Sequence, residues 1–250
     1  MILQTDRLTV HVGGIRALDG VSLAITAGTV TAVIGPTGCG KTTLLRTINR
    51  MIALLPSTRI EGDVRFQGQS IFAPGTRVTE LRRRIGLVGA DTALLPGSVV
   101  DNMTYGLQVS GQWRSERART ARVEAALRDV HLWDEVKDHL ESPAEALSAS
   151  QRRRLTLARA LTLGPDVLLL DDPTAGLDPV ATQRIESLIY ALRQRLTVVL
   201  ATNSVRQAAR VSDQTAFFWL GRLVECSPTA RLFTTPTERL TEDYVTGRCG

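Results

Sequence analysis

The hydrophobic residues of this chain form short apolar runs that alternate with stretches of helical spacing. The runs at residues 30–34, 167–170 and 196–201 predict strands, and the second is typical of a strand buried on both faces. Helical spacing follows, as at residues 43–48 and 180–195. This alternation predicts an α/β fold with a mostly parallel core sheet, whose ligand lies at the carboxyl ends of the strands.

Alternating apolar and polar positions predict a second layer of strands. Residues 8–12 and 20–25 alternate in this way, and a third such segment spans residues 60–67. We expect these strands to form an antiparallel β layer beside the strand at residues 30–34. A hairpin around Gly221 is expected near the end of the chain.

Helical spacing dominates the middle of the chain. It extends across residues 98–141 with one break at residues 111–113, and Ser148 is a suitable N-cap for a helix that reaches about residue 163. We therefore predict a single domain of residues 1–250, with a helical subdomain at about residues 98–163 inserted into its core.

Composition narrows the class of protein. The 250 residues are 43% hydrophobic and 22% charged, which is typical of a globular protein, and no apolar run is long enough to cross a bilayer. The first residues lack the pattern of a secretion signal. Three cysteines without paired spacing favour a reducing cytosol and no cysteine metal site.

The net charge of +5 is compatible with nucleic acid, an anionic membrane surface or a solvated basic face. Arginine runs at residues 82–84 and 152–154 lie inside predicted helices, and no aromatic residues interleave them as a base-stacking surface requires. We favour a solvated basic face and expect no nucleic acid partner.

A glycine-rich segment follows the strand at residues 30–34 and matches the phosphate-binding P-loop pattern at every fixed position. Its glycines allow backbone N–H groups to approach a polyphosphate, and the following helix directs its positive end at the same anion. The alternative is a glycine-rich loop without a nucleotide. The predicted ATP ligands are Gly35, Pro36, Thr37, Gly38, Cys39, Gly40, Lys41, Thr42 and Thr43. Among them, Lys41 reaches the β- and γ-phosphates and Thr42 ligates Mg²⁺.

Two carboxylates end the apolar strand at residues 167–170. We expect Asp171 to hold Mg²⁺ through water, and Asp172 to lie where the attacking water is activated. The alternative is a strand followed by an ordinary turn. The P-loop earlier in the chain favours the metal and water roles.

The order of these motifs resembles that of the ABC-type ATPases. The shared segments are GPTGCGKTTLLRTINRM, LSASQRRRLTLARAL, VLLLDDPTAGLDP and the strand before Asn203. Other segments resemble the PstB family, which comprises the ATP-binding subunits of phosphate-specific importers. They are DNMTYGLQ, LWDEVKDHL, QAARVSDQTAFFWLGRLVE, LFTTP and the tail TEDYVTGRCG, so the resemblance extends from about residue 8 to residue 250.

The resemblance implies an ABC-type P-loop ATPase at the cytoplasmic face of the cell membrane, where it is a peripheral subunit. It implies a head-to-tail dimer that clamps two ATP molecules, each between the P-loop of one subunit and the signature motif of the other. It also implies two transmembrane permease subunits and an extracytoplasmic phosphate-binding protein. ATP hydrolysis then drives phosphate uptake.

Two departures from the family pattern affect nucleotide and metal contacts. Val12 takes the place of the aromatic ring that family members stack on adenine, a loss worth about 1–3 kcal/mol if base stacking on single strands is a guide. Ala90 takes the place of the glutamine that senses Mg²⁺ and faces the permease. An alanine side chain cannot coordinate a metal.

Further departures affect the signature motif and the catalytic groups. The signature reads Leu-Ser-Ala-Ser-Gln at residues 147–151, and Ser148, Ser150 and Gln151 are its predicted ATP ligands. Asp172 replaces a glutamate and is one methylene shorter, and a misplacement of about 1 Å can lower a rate roughly a hundredfold. Asn203 stands at the position of the switch histidine and donates a hydrogen bond without becoming cationic.

These substitutions leave open three hypotheses. The first is a working phosphate-importer ATPase, slowed by its altered motifs. The second is a nucleotide-binding regulatory or scaffolding subunit with negligible ATPase activity. The third, a nucleic-acid-linked ABC ATPase, is disfavoured because the tail resembles the phosphate importers.

Overall fold

A computed structural model describes residues 1–89, 91–112 and 115–249. The strands are β1 (Leu3–Val12), β2 (Ile15–Val21), β3 (Ala24–Ile25), β4 (Val30–Ile34), β5 (Thr58–Phe66), β6 (Gln69–Ser70), β7 (Ile85–Gly89), β8 (Val167–Asp171), β9 (Thr197–Thr202), β10 (Gln214–Trp219) and β11 (Arg222–Pro228). The helices are α1 (Lys41–Ile48), α2 (Val78–Arg84), α3 (Val99–Val109), α4 (Glu116–Asp129), α5 (Trp133–Val136), α6 (Ala149–Thr162), α7 (Pro179–Leu192), α8 (Val205–Val211), α9 (Thr229–Thr234) and α10 (Arg239–Val245).

The larger sheet has the strand order β11-β10-β4-β9-β8-β7, and all its neighbours are parallel except the β10–β11 hairpin. Its central strands β4, β8 and β9 are almost entirely buried, which explains their continuous apolar runs. The carboxyl ends of β4, β9, β8 and β7 lie along one edge. The predicted α/β class and mostly parallel core sheet are therefore confirmed.

The smaller sheet is antiparallel, as predicted, and has the order β2-β1-β5-β6, with β3 also paired to β1. The predicted strand at residues 20–25 is wrong in its bounds. Two strands form instead. Val21, the last residue of β2, pairs with Leu8 of β1, whereas β3 pairs with Leu3 and Gln4 at the start of β1. The apolar faces of both sheets share one core that also surrounds α1.

Helices α3 to α6 pack into a second core, against the other face of the large sheet. Ser148 caps α6 as predicted, and Asp178 caps α7 by accepting a hydrogen bond from the Ala181 N–H at 2.8 Å. The proposed helical subdomain contains these four helices, and its boundaries stay a prediction. Within residues 1–89, 91–112 and 115–249, no helix is long and apolar enough to span a membrane.

Candidate functional site

The P-loop is the turn between β4 and α1, and its backbone requires glycine. Gly35, Gly38 and Gly40 have φ values of 148°, 81° and 106°. A Cβ on Gly35 would lie 2.2 Å from the Phe218 carbonyl oxygen, and one on Gly40 would lie 2.7 Å from that of Ala17. The loop is therefore closely packed by strands of both sheets, which fixes the position of its N–H groups.

Lys41 opens α1 and is buried beneath the loop. Its ammonium group donates to the carbonyl oxygens of Gly35 at 2.7 Å and Pro36 at 2.9 Å. The Cys39 thiol lies 3.7 Å from the same ammonium group, and burial raises the pKa of this thiol. Cys39 is thus a packing residue whose backbone belongs to the loop, and the Lys41 charge lies where a polyphosphate would bind.

Thr42 and Asp171 meet across the carboxyl edge of the sheet. The Thr42 hydroxyl donates to Asp171 Oδ1 at 3.1 Å. These hard oxygen atoms fit Mg²⁺, which usually takes one or two protein ligands together with water and phosphate oxygens. Across the part of the chain that the structure describes, no group of three His, Cys, Asp or Glu side chains could hold a metal by itself. The predicted metal pair is therefore placed together.

Asp172 follows β8 in a left-handed turn with φ at 50°. Its backbone N–H donates to the Ala201 carbonyl at 2.9 Å, which ties the turn to β9. Burial raises the pKa of Asp172, and so does the adjacent Asp171 carboxylate, against the opposing charges of Lys41 and Arg153. A carboxyl in this setting is suited to accept a proton.

One open cavity of about 810 Å³ joins these groups. Of the predicted site residues, the structure brings nine to its lining: Thr37, Gly38, Gly40, Lys41, Thr42, Thr43, Asp171, Asp172 and Asn203. Asn203 follows β9, is exposed and lines the cavity. The candidate metal ligands, the candidate base and the Asn203 amide therefore line one cavity, which is large enough for a nucleotide.

Other predicted residues lie elsewhere. Val12 is partly buried against the first core and is not one of the described residues that line the cavity. The same holds for Ser148, Ser150 and Gln151, at the N-terminus of α6. Ser148 and Ala149 are exposed there, so the first turn of α6 is accessible to another molecule. Ala90 lies outside the described residues.

The sequence did not lead us to several residues around this cavity. Asp91 and Thr92, in the loop after β7, line it, and the Thr92 hydroxyl accepts from the Gly89 N–H at 2.7 Å. Arg153 of α6 donates to the Gly89 carbonyl at 3.0 Å. No local motif marks these positions, because a neighbouring helix and strand bring them to the cavity.

The interpretation of residues 152–154 as a solvated basic face is wrong for one of them. Arg152 is exposed and Arg153 is half-buried, but the Arg154 side chain is only 3% exposed. Arg154 stands four residues before the buried Ala158 on α6. Helical periodicity could therefore have revealed its burial.

Comparison with known proteins agrees with this geometry. Residues 18–175 match the family of ABC transporter domains. The phosphate import ATP-binding protein PstB of Bacteroides thetaiotaomicron is 47% identical over 238 residues, which cover 95% of this chain and 94% of the relative. The protein of the same name from Idiomarina loihiensis is also 47% identical, over 248 residues that cover 99% of this chain and 91% of the relative.

Solved structures share the fold. CbiO1 from Clostridium perfringens, part of the ABC transporter complex cbiONQ, has a TM-score of 0.80 and 28% identity, with 99% of each chain covered. A bacterial Atm1-family ABC exporter with ATP bound has a TM-score of 0.81 and 24% identity. That comparison covers 99% of this chain and 42% of the exporter chain.

Proposed function

This chain belongs to the ABC transporter family and, within it, to the PstB proteins, and we propose that its residues bind and hydrolyse ATP to drive phosphate import. It is the ATP-binding subunit of a phosphate importer and an ATPase. The observation that carries the proposal is the single cavity lined by Lys41, Thr42, Asp171 and Asp172. These four side chains provide a phosphate clamp, a metal pair and a base.

Each residue has a distinct role in the proposed reaction. Lys41 and the P-loop N–H groups neutralise and orient the β- and γ-phosphates. Thr42 and Asp171 hold Mg²⁺, which when bound spreads the charge that develops on the transferred phosphoryl group. Asp172 accepts a proton from the attacking water. Asn203, at the open side of the cavity, donates a hydrogen bond to a γ-phosphate oxygen.

The signature turn completes the ATP site from a second subunit. Ser148 and Ala149 are exposed, and the cavity of the same chain is lined by other residues. We infer that a second copy, packed head to tail, supplies the turn of Ser148, Ser150 and Gln151 to the ATP held here, with the Ser148 side chain exposed toward it. The N-terminus of α6 then adds its partial positive charge to the γ-phosphate.

The remaining partners follow from the family. Names of the relatives and of the cbiONQ complex support an assembly with membrane subunits. We propose two transmembrane permeases, an extracytoplasmic phosphate-binding protein and a peripheral position at the cytoplasmic face of the cell membrane. The transported ion then contacts those partners and not the residues described above.

Turnover of Mg-ATP by the purified protein tests this function. We expect the purified protein to release phosphate from Mg-ATP. Lys41→Ala should lower the rate of release at least about a hundredfold, because the β- and γ-phosphates lose their counter-charge. Lys137→Ala is the matched control, since Lys137 lies on the surface beside Asp134. ATP binding without turnover in the unmodified protein would contradict the proposal and favour a regulatory subunit.

The transported substrate needs a cellular measurement. In bacteria that lack their own PstB subunit, the chain expressed with its permeases should restore uptake of radiolabelled phosphate, and Lys41→Ala should not. Sulfate uptake in the same cells is the control. Restored sulfate uptake without phosphate uptake would contradict the assigned substrate.

A further inference from the structure

One carboxylate from α5 contacts α6 at two points, one in the first turn of the helix and one in the second. Glu135 Oε2 accepts from the Gln151 side-chain amide at 3.0 Å and from Arg154 Nη2 at 2.9 Å, and its Oε1 accepts from Arg154 Nη1 at 2.8 Å. Residues sixteen and nineteen positions apart in the chain are thus held together. Glu135 therefore connects α5 with the turn that carries the signature motif.

Gln151 transmits this contact to the helix cap. Its side-chain oxygen accepts from the Ser148 N–H at 2.9 Å, while its own N–H donates to the Ser148 hydroxyl at 3.3 Å. This reciprocal pair is a capping box, and it sets the direction of the first N–H groups of α6. Because Glu135 holds the amide end of Gln151, it also fixes the side chain on which the box depends.

The opposite charges of Glu135 and Arg154 stabilise this contact. Arg154 is almost fully buried and donates also to the His131 carbonyl at 2.6 Å, so its guanidinium requires a nearby anion. Hydrogen bonds from Arg154 lower the pKa of Glu135 in spite of partial burial, and Gln151 adds to the effect. Glu135 is therefore ionised at neutral pH and stays bound to both partners.

The signature turn of this chain needs such support. Ala149 and Ser150 occupy its centre, and the Ser150 hydroxyl oxygen is buried without a hydrogen-bond partner. An unsatisfied hydroxyl costs free energy, which the cap and the Glu135 contacts offset. The orientation of the turn consequently depends on groups outside the motif.

We propose that Glu135 is a positioning residue for ATP hydrolysis, which acts through Gln151 to hold the Ser148–Gln151 turn in the geometry that meets γ-phosphate. This role rests on the proposed function, in which the turn serves ATP bound by a second subunit. Glu135 itself touches neither ATP nor water in the reaction. Substitution of Glu135 therefore affects a step that follows the binding of ATP to the P-loop.

The first test is Glu135→Gln, with the kinetic constants of ATP hydrolysis as readout. The glutamine side chain is neutral, so it lacks the charge that holds Arg154. It also has one acceptor oxygen where glutamate has two. We expect kcat to fall about tenfold or more while KM for ATP changes less than about twofold, because the P-loop contacts are untouched. Glu124→Gln is the matched control, since Glu124 pairs with Arg128 on the exposed side of α4 in the same subdomain.

A second pair of variants separates positioning from stability. Glu135→Ala leaves a buried arginine without its counter-ion and is expected to lower Tm. Adding Arg154→Met removes that charge, so Tm should recover, whereas kcat should stay low because Gln151 still lacks its acceptor. Recovery of kcat together with Tm would overturn the proposal and leave Glu135 a structural residue.

Hydrogen exchange provides a readout that is independent of turnover. In Glu135→Gln, the amides of Gln151 and Arg152, which donate to the Ser148 hydroxyl and carbonyl, should exchange about tenfold faster, while those of α4 should not change. Unchanged exchange at these two amides would overturn the positioning role whatever the ATPase rate. Faster exchange in a protein whose unmodified form has no Lys41-dependent turnover would instead retain the positioning role and reject the proposed function.

Discussion

Asp172 combines a left-handed backbone with a carboxyl beside a second carboxylate. Its backbone is left-handed, which aspartate tolerates better than most residues, and its carboxyl is half-buried beside a second carboxylate. The turn is held by the bond from its N–H to Ala201. The shorter side chain is therefore compatible with the backbone, and a glutamate at this position would still face the same cavity.

The proposed role of Asp172 as the base predicts a specific loss of rate. Asp172→Asn should lower kcat about a hundredfold or more, because the amide cannot accept a proton, and should leave ATP affinity within a few fold. Single-turnover hydrolysis and equilibrium ATP binding measure the two effects. Asp91→Asn is the control, since Asp91 is another carboxylate that lines the cavity. Equal losses in both variants would indicate a general effect of charge and contradict a base.

At the scale of elements, helix α10 in the C-terminal tail packs next to the P-loop. Tyr244 of α10 is buried, its ring stacks on Phe217 of β10 at 4.8 Å, and it shares a core cluster with Ile34, the residue before the P-loop. Burial raises the pKa of its hydroxyl, and the nearby Gly35 N–H opposes that rise. The other end of the helix is held by Glu225, which accepts from the Thr237 and Glu238 N–H groups at 3.0 and 3.1 Å. The tail that resembles the PstB family thus contacts the start of the nucleotide site.

Removing only the hydroxyl tests this support. Tyr244→Phe keeps the stacked ring and should raise KM for ATP about fivefold, because the Gly35 N–H loses the nearby hydroxyl oxygen, a polar interaction worth about 1 kcal/mol. Steady-state kinetics over a range of ATP concentrations measures the change. Tyr105→Phe is the matched control, since Tyr105 is exposed on α3. An unchanged KM would show that the tail contributes to packing alone.

The sequence predicted those elements whose cause is local. β4, β8 and β9 are continuous apolar runs, the P-loop depends on its own glycines, and Ser148 caps the helix that follows it. The sequence did not predict features that depend on a contact with another element. Helical periodicity indicates that Arg154 faces the core, but the basic run does not reveal its ion pair with Glu135 of another helix, which balances the buried charge. Asp91 and Thr92 reach the cavity because β7 pairs with β8, which no motif in residues 85–92 encodes.

At the scale of the whole molecule, the two halves of the predicted ATP site lie on different surfaces of one chain. The cavity is lined by the residues proposed to bind phosphate and Mg²⁺ and to act as base, while the exposed signature turn begins α6. In the proposed head-to-tail pair, two-fold symmetry would bring the cavity of each chain to the signature turn of the other, so both sites would form together. This arrangement makes activity depend on which subunit carries which substitution.

Mixing two inactive variants tests that dependence. Ser148→Asp keeps an N-cap residue but adds a negative charge at the turn that meets γ-phosphate, so this variant should be as inactive as Lys41→Ala. In a mixed pair, one site carries both defects and the other carries none. An equal mixture should regain about a quarter of the unmodified rate, since half of the pairs are mixed and each has one intact site. Ser115→Asp, at the cap of α4, is the control. A mixture that stays inactive would place the signature turn in the site of its own chain, because every cavity would then carry a defect.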